Sequence, residues 1–180
     1  MHILVSGAEK WAVSNGYFIF LAKNENTAAY TQNVNIRSLL PKIVLITALA
    51  HYANPDVLAV SESWCRKTTK NSKISIPNYN IFRQDRTAKG GRIAICCSDS
   101  LQSSVLLSRS VPQKFELLLL KIHLSKNKSL TVAACYRPPS APSCALDTIC
   151  ELIAPHLSSE LLLLGDLNWD MLNKIGRAHV

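Results

Sequence analysis

The chain has 180 residues, 48% of them hydrophobic and 18% charged, which suits one globular domain with a real core and excludes a disordered chain. No apolar stretch reaches the ~18 residues of a membrane-spanning helix, and the start, MHILVSGAEKW, lacks the basic-then-apolar order of a secretory signal, so neither a membrane partner nor export is expected. The net charge is +8, and residues 37–92 hold ten cations against three acids, a local excess of +7 that would draw a polyanion such as nucleic acid.

In chain order, residues 1–30 show no period and read as an ill-defined leader. LLPKIVLITALAHYA follows, with apolar residues at 39, 43, 46, 49 and 50. That recurrence predicts a helix, with Pro41 tolerated in its first turn and Asn54-Pro55 as its stop. DVLAVSES predicts a short buried strand over Val57–Val60. Residues 65–78 are polar and basic and read as a loop or short helix. YNIFR is a strand, DRTAKGG a turn and RIAICCS the next strand. FELLLLKIHL (115–124) and SLTVAACY (129–136) are two longer strands joined by a hairpin loop. RPPSAPS is a rigid loop. CALDTICELIAPHL is an amphipathic helix with Ser143 as its expected N-cap, and LLLL (161–164) is a further buried strand. The order of elements predicts an α/β sandwich with mixed sheets. Six cysteines occur without C-x-x-C or zinc-like spacing, so a reduced, intracellular setting (nuclear or cytoplasmic) is expected rather than a disulfide framework.

Three of the predicted strands end in polar clusters: Ser61-Glu62-Ser63-Trp64, Tyr136-Arg137-Pro138, and Gly165-Asp166-Leu167-Asn168. Ligands of α/β sheets bind where strands end, so three such ends suggest one site. The groups suit metal-assisted phosphodiester hydrolysis. Glu62 is a hard oxygen ligand of the kind Mg²⁺ takes. Asp166 can orient or deprotonate a water, Asn168 can position that water or donate to a phosphate oxygen, and the Tyr136 phenol can donate to the same phosphate. Taken singly, Asn35 also reads as a turn residue, Glu62 as an exposed acid, Tyr136 as an edge aromatic, and Asp166 with Asn168 as an Asx turn.

The segments NVNIRSLLPKI, PDVLAVSESW, YNIFRQDRTAKGGRIAI, FELLLLKI, CYRPPSA and LLLLGDLNWD, in this order, resemble the endonuclease domain of non-LTR (LINE-type) retrotransposons over roughly residues 33–173. That domain belongs to the endonuclease/exonuclease/phosphatase superfamily, with the deoxyribonuclease-I-like and apurinic-site nucleases. The resemblance implies a four-layer α/β sandwich of two mixed β-sheets over residues 31–173, with its last strands missing. It implies a DNA endonuclease that uses Mg²⁺ or Mn²⁺ to nick target DNA for reverse transcription by a domain of the same chain. Asn35 matches the Asn at the metal and phosphate, Glu62 the metal-binding Glu, Tyr136 the Tyr at the scissile phosphate, and Asp166 and Asn168 the G-D-x-N pair that activates and orients water. Arg83 and Arg86 fall in a stretch bordering the DNA-binding face, and Arg37, beside Asn35, is a further DNA-binding candidate.

The chain departs from the family pattern in four places. The glycine-rich turn reads Lys89-Gly90-Gly91-Arg92, and AAYTQN replaces an apolar strand before Asn35. The family completes its site with a later Asp and a Ser-Asp-His motif, yet none of His2, His51, His123, His156 and His179 follows Ser-Asp. Residues 174–180, KIGRAHV, carry no family pattern and resemble a translated sequencing adapter, so they are read as a non-native tail. A fragment of the nuclease with little or no nicking activity is the resulting expectation. Another phosphodiesterase or phosphatase of the superfamily, and a non-catalytic nucleic-acid-binding relic of the fold, are the alternatives.

Overall fold

The computed structural model describes residues 11–14, 17–20, 22–23, 29–84, 92–125, 127–156 and 160–168. In chain order the elements are β1 (Trp11–Ser14), β2 (Tyr17–Phe20), β3 (Ala22–Lys23), β4 (Tyr30–Asn35), α1 (Ile43–Ala53), β5 (Val57–Ser61), β6 (Tyr79–Gln84), β7 (Ile93–Ser98), β8 (Gln102–Val111), β9 (Phe115–Ser125), β10 (Lys128–Tyr136), α2 (Ala145–Ile153) and β11 (Glu160–Asp166). Strands β1 and β2 pair as a small hairpin within the stretch where the sequence shows no period.

Two mixed sheets carry the fold. One has the order β3-β4-β5-β7-β6 and the other β11-β10-β9-β8. Among the described strands, only β4 with β5 and β10 with β11 run parallel. Each parallel pair encloses a crossover helix, α1 in the first case and α2 in the second, as parallel pairing requires.

The two-residue period of a strand sorts the side chains into layers. Val57 and Ala59, Ile93 and Ile95, Leu118, Leu120 and Ile122, Leu130, Val132 and Ala134, and Leu164 fill one buried cluster between the sheets. The alternate residues Leu58 and Val60, with Ala94 and Cys96, pack against Ile46 and Ala50 of α1. Leu117, Leu119, Ala133 and Cys135 pack against Ala145, Ile149 and Ile153 of α2. The result is the expected four layers: helix, sheet, sheet, helix. Apolar faces on both sides explain why these strands read as unbroken hydrophobic runs. A buried Leu or Ile contributes roughly 1.5–3 kcal/mol each, so the leucine-rich β9 is a main source of stability.

The helix ends follow local chemistry. Helix α1 is entered through a 3-10 turn, Leu40–Lys42, with Pro41 at its start. It ends at Asn54, whose left-handed φ of 45° lets its N–H donate to the Ala50 carbonyl at 2.9 Å. Three expectations need correction. Ser143 does not cap α2. The residue before the helix is Cys144, already helical and without a side-chain cap. Carbonyls of Pro142, Ser143 and Cys144 accept from Ala145, Leu146 and Thr148, so the first-turn donors are satisfied by backbone. The YTQN part of the AAYTQN stretch, poor in apolar residues, nevertheless opens β4, a central strand with Thr31, Gln32 and Asn33 buried. Side-chain bonds make this tolerable: the Gln32 amide donates to the Tyr30 hydroxyl (2.7 Å) and that of Asn33 to the Gly165 carbonyl (3.2 Å). Finally, β8 is a ten-residue edge strand that the sequence pattern misses. A register shift between Val105 and Leu107 breaks its alternation. All six cysteines are free, with Cys65, Cys96, Cys97 and Cys135 buried.

Candidate active site

Parallel pairing makes β4 and β5 finish at one edge of their sheet, with Asn35 opposite Ser61 in register. The same holds for β10 and β11, with Tyr136 opposite Asp166. Strand alternation decides where these last side chains go. Asp166 follows Leu162 and Leu164 of the inter-sheet cluster, Tyr136 follows Val132 and Ala134, and Asn35 follows Asn33 on the face opposite Val34. The polar residues are therefore the end of the inner face, where the apolar filling gives way to water.

One side chain joins the two sheets there. The Asn35 amide nitrogen donates to Glu62 Oε1 at 3.1 Å and to Asp166 Oδ2 at 2.9 Å. An amide carries two N–H groups, so two carboxylates from different sheets share one residue. Two residues back on the same face, Asn33 repeats the link through the Gly165 carbonyl at 3.2 Å. Glu62 sits just beyond β5 with φ at 54°, in a conformation uncommon for a non-glycine residue. Backbone bonds hold it there: Ile36 donates to Ser61 O (3.1 Å), Ser38 to Glu62 O (2.8 Å) and Leu39 to Ser63 O (2.8 Å). These bonds extend the β4–β5 ladder past the strands. Arg37 Nε lies 4.0 Å from Glu62 Oε2 with its side chain 79% exposed, a surface pair worth about 0–1 kcal/mol.

The Gly165–Asn168 corner is braced from the neighbouring loop. Asp166 Oδ1 accepts the Asn168 N–H at 3.1 Å, so the pair does form an Asx turn, while Oδ2 remains on Asn35. Asn168 has φ 45° and donates its amide to the Arg137 carbonyl at 2.8 Å. Arg137 is buried, and its backbone N–H donates to Asp166 O at 2.9 Å. Its guanidinium donates to the carbonyls of Leu167 (3.3 Å), Asn168 (3.1 Å) and Ala141. At Gly165, φ is 122°, and a Cβ there would lie 1.9 Å from the Cys135 carbonyl oxygen. Only glycine lets β11 run this close to β10.

Asn35, Glu62 and Asp166 thus come into direct contact, Asn168 joins through Asp166, and Tyr136 lies beside Asp166 in register. Arg83 lies elsewhere. It shares the parity of Tyr79 and Ile81, which pack on the α1 side, and its guanidinium donates to the Thr69 carbonyl at 3.0 Å, tying the 65–78 loop to β6. Arg86 lies outside the described residues, as do the Lys89–Gly91 turn and residues 174–180. His51 and His123 are exposed on α1 and β9. Sequence reasoning missed Asn33 and Arg137, since a buried Asn in a central strand and an Arg before two prolines carry no period. It also missed Glu116, a fully buried carboxylate on β9 beside Tyr136 in register, which accepts the Arg92 backbone N–H. The one available signal was an acid at the start of an otherwise apolar strand.

The donor set bears on a metal. Among the described residues no group of three or more His, Cys, Asp or Glu is gathered. Asn35 Oδ1, by contrast, is buried without a partner, next to the Glu62 carboxylate. A hard cation that keeps most of its waters needs only one or two protein oxygens, so Glu62 and Asn35 could hold a hard divalent cation.

No protein-family model and no curated protein sequence matches the chain. Solved structures do. Humanized D. rerio TDP2 carrying 14 mutations matches with TM-score 0.60 and 14% identity over 83% of this chain and 69% of that one. D. rerio TDP2 in complex with a single-strand DNA product matches with TM-score 0.55 and 12% identity over 77% and 58%. An AP endonuclease from Archaeoglobus fulgidus matches with TM-score 0.55 and 14% identity over 77% and 56%. Likeness at this identity speaks to architecture and leaves chemistry to the site itself. The two mixed sheets packed face to face have the endonuclease/exonuclease/phosphatase fold.

Proposed function

We propose that the chain is part of a Mg²⁺-dependent DNA endonuclease that nicks target DNA to prime reverse transcription, the activity of a non-LTR retrotransposon element. The observation that carries this is the Asn35 amide shared between Glu62 and Asp166. It gathers hard oxygen donors and a water-orienting carboxylate at the converging strand ends of both sheets. The basic excess over residues 37–92 supports a polyanionic substrate. The AP endonuclease and the DNA-bound TDP2 among its structural relatives support DNA as that substrate. A reverse transcriptase in the same chain and a reducing, intracellular compartment belong to the same reading.

Each residue then has a part. Glu62 and Asn35 Oδ1 would hold Mg²⁺, which would neutralise charge developing on the scissile phosphate. Asp166, fixed on both oxygens by Asn35 and Asn168, keeps a lone pair for the attacking water and receives its proton. Asn168 has a second amide hydrogen for a phosphate oxygen, and Tyr136 donates its phenol there. Arg37 supplies an exposed positive charge beside the metal site.

A supercoiled plasmid tests this. With Mg²⁺ the chain should nick slowly, because the 180 residues hold no Ser-Asp-His. Glu62→Gln and Asp166→Asn should each reduce that rate by roughly a hundredfold, and the nicks should carry 3′-hydroxyls that a polymerase extends. Nicking that survives both substitutions would refute the assignment, and rapid nicking that both abolish would refute the expected weakness.

A further inference from the structure

Two residues past Glu62 stands Trp64, one of the few large apolar side chains left exposed among the described residues, at 43%. Its backbone is unusual as well. Its φ is 52°, in the left-handed region, which is a genuine outlier for a bulky residue. Such strain persists where surrounding structure enforces it, and it clusters at binding and catalytic sites. The enforcing structure is visible on both sides of Trp64. Ser63, buried, donates its backbone N–H to the Arg92 carbonyl at 3.0 Å and accepts from Leu39 at 2.8 Å, while Cys65 is buried in the α1 cluster. The chain is pinned before and after Trp64, and the indole is turned out between the pins. The same bonds bring residues 37–39 alongside residues 62–63, so the exposed Arg37 guanidinium flanks Glu62 on one loop and the exposed indole follows it on the other.

A core residue would gain full burial in return for strain; this indole keeps 43% of its surface open. Exposed rings beside a backbone-binding cation are the parts of a nucleobase platform, where a base stacks on the ring and the guanidinium meets a phosphate. We infer that Trp64 stacks on an unpaired nucleobase adjoining the scissile phosphate of the proposed nuclease site, with Arg37 on the neighbouring phosphate. The inference rests on the nuclease reading and deepens it, because it places a base-binding subsite next to the hydrolytic centre.

The test uses the full chain with Trp11→Phe and Trp169→Phe, which leaves Trp64 as its single indole. Fluorescence is titrated in EDTA with a duplex carrying a short unpaired bubble. A second duplex has abasic positions in the bubble and the same phosphates. Base-bearing DNA should quench the indole and bind about 5- to 150-fold more tightly than the abasic duplex. Trp64→Ala should lose that factor on the first duplex and nothing on the second, and Trp64→Phe should keep most of it. Trp64→Gly should lose the factor as Trp64→Ala does. Equal binding by Trp64→Ala and the parent overturns the inference. So does a loss by Trp64→Ala that is equal on the two duplexes, which would assign the indole to the fold. Failure of the parent chain to bind either duplex, in EDTA and with Mg²⁺ alike, would instead overturn the nuclease reading.

Discussion

Gly165→Ala is a severe test of how the site is built. At φ 122° the added Cβ would sit 1.9 Å from the Cys135 carbonyl oxygen, with the Cys135 carbon and nitrogen at 2.8 and 2.9 Å. All three atoms are backbone of β10, so no side chain can swing aside. Two terms add: overpacking, about 1–3 kcal/mol, and the left-handed φ, about 1–2 kcal/mol. Their sum, about 2–5 kcal/mol, is a large share of the roughly 5–15 kcal/mol that holds a domain folded. For a chain of this size each kcal/mol is worth about 2–4 °C, so the melting temperature should fall by about 4–20 °C on thermal circular dichroism. Parting β10 from β11 would also separate Tyr136 from Asp166 and lengthen the Asn33–Gly165 bond, so plasmid nicking should be lost even where the variant is folded. A Gly165→Ala chain melting within a degree or two of the parent would refute the close approach of the two strands.

Arg137→Ala should cost at least about 2–3 kcal/mol, because it strands carbonyls of Ala141, Leu167 and Asn168. Arg137→Lys should recover little, since a point charge cannot reproduce the planar fork; urea melts that superimpose would sink this bracing role. Asn35→Asp replaces the donor shared by Glu62 and Asp166 with a third carboxylate, and should destabilise the metal-free chain by about 1–3 kcal/mol; Mg²⁺ should restore part of the loss, and a variant as stable as the parent in EDTA would speak against the bridge. Burial pushes the Cys96 and Cys135 thiols from 9.0 up to about 12. Folded protein keeps those protons where unfolded chain releases them, so the thiols leave stability unchanged below pH 9 and lower it as the pH rises from 9.0 toward 12, by about 1.4 kcal/mol per pH unit per thiol. Urea midpoints that stay constant across that window would contradict it, as would native Cys96 alkylating as fast as the exposed Cys144.

How much could be read beforehand differs from element to element. Val57–Val60, Ile93–Ser98, the paired 115–124 and 129–136 strands and LLLL are apolar on both faces, and burial between helix and sheet is what such runs are for. Strand β4 was legible only as a poor strand. Its polar residues are stabilised by partners far away in sequence, such as Gly165, 132 residues from Asn33, and no local pattern encodes that. Strand β8 hid behind its bulge. Glu62 and Asp166 could be picked out because acids stood at the ends of apolar runs.

By itself, then, the sequence determined the fold class and the polar strand ends, because hydrophobic periodicity and abrupt changes of polarity are local properties of the chain. Only the tertiary structure decided that Asn35 stands between Glu62 and Asp166, that Arg137 braces the corner beyond them, that Arg83 ties a loop on the helix side, and that Trp64 is held out in a strained conformation. Those outcomes depend on which strand ends parallel pairing brings to one edge and which face alternation gives each side chain, and both are set by contacts between segments distant in sequence, 27 residues apart for Asn35 and Glu62 and 131 for Asn35 and Asp166.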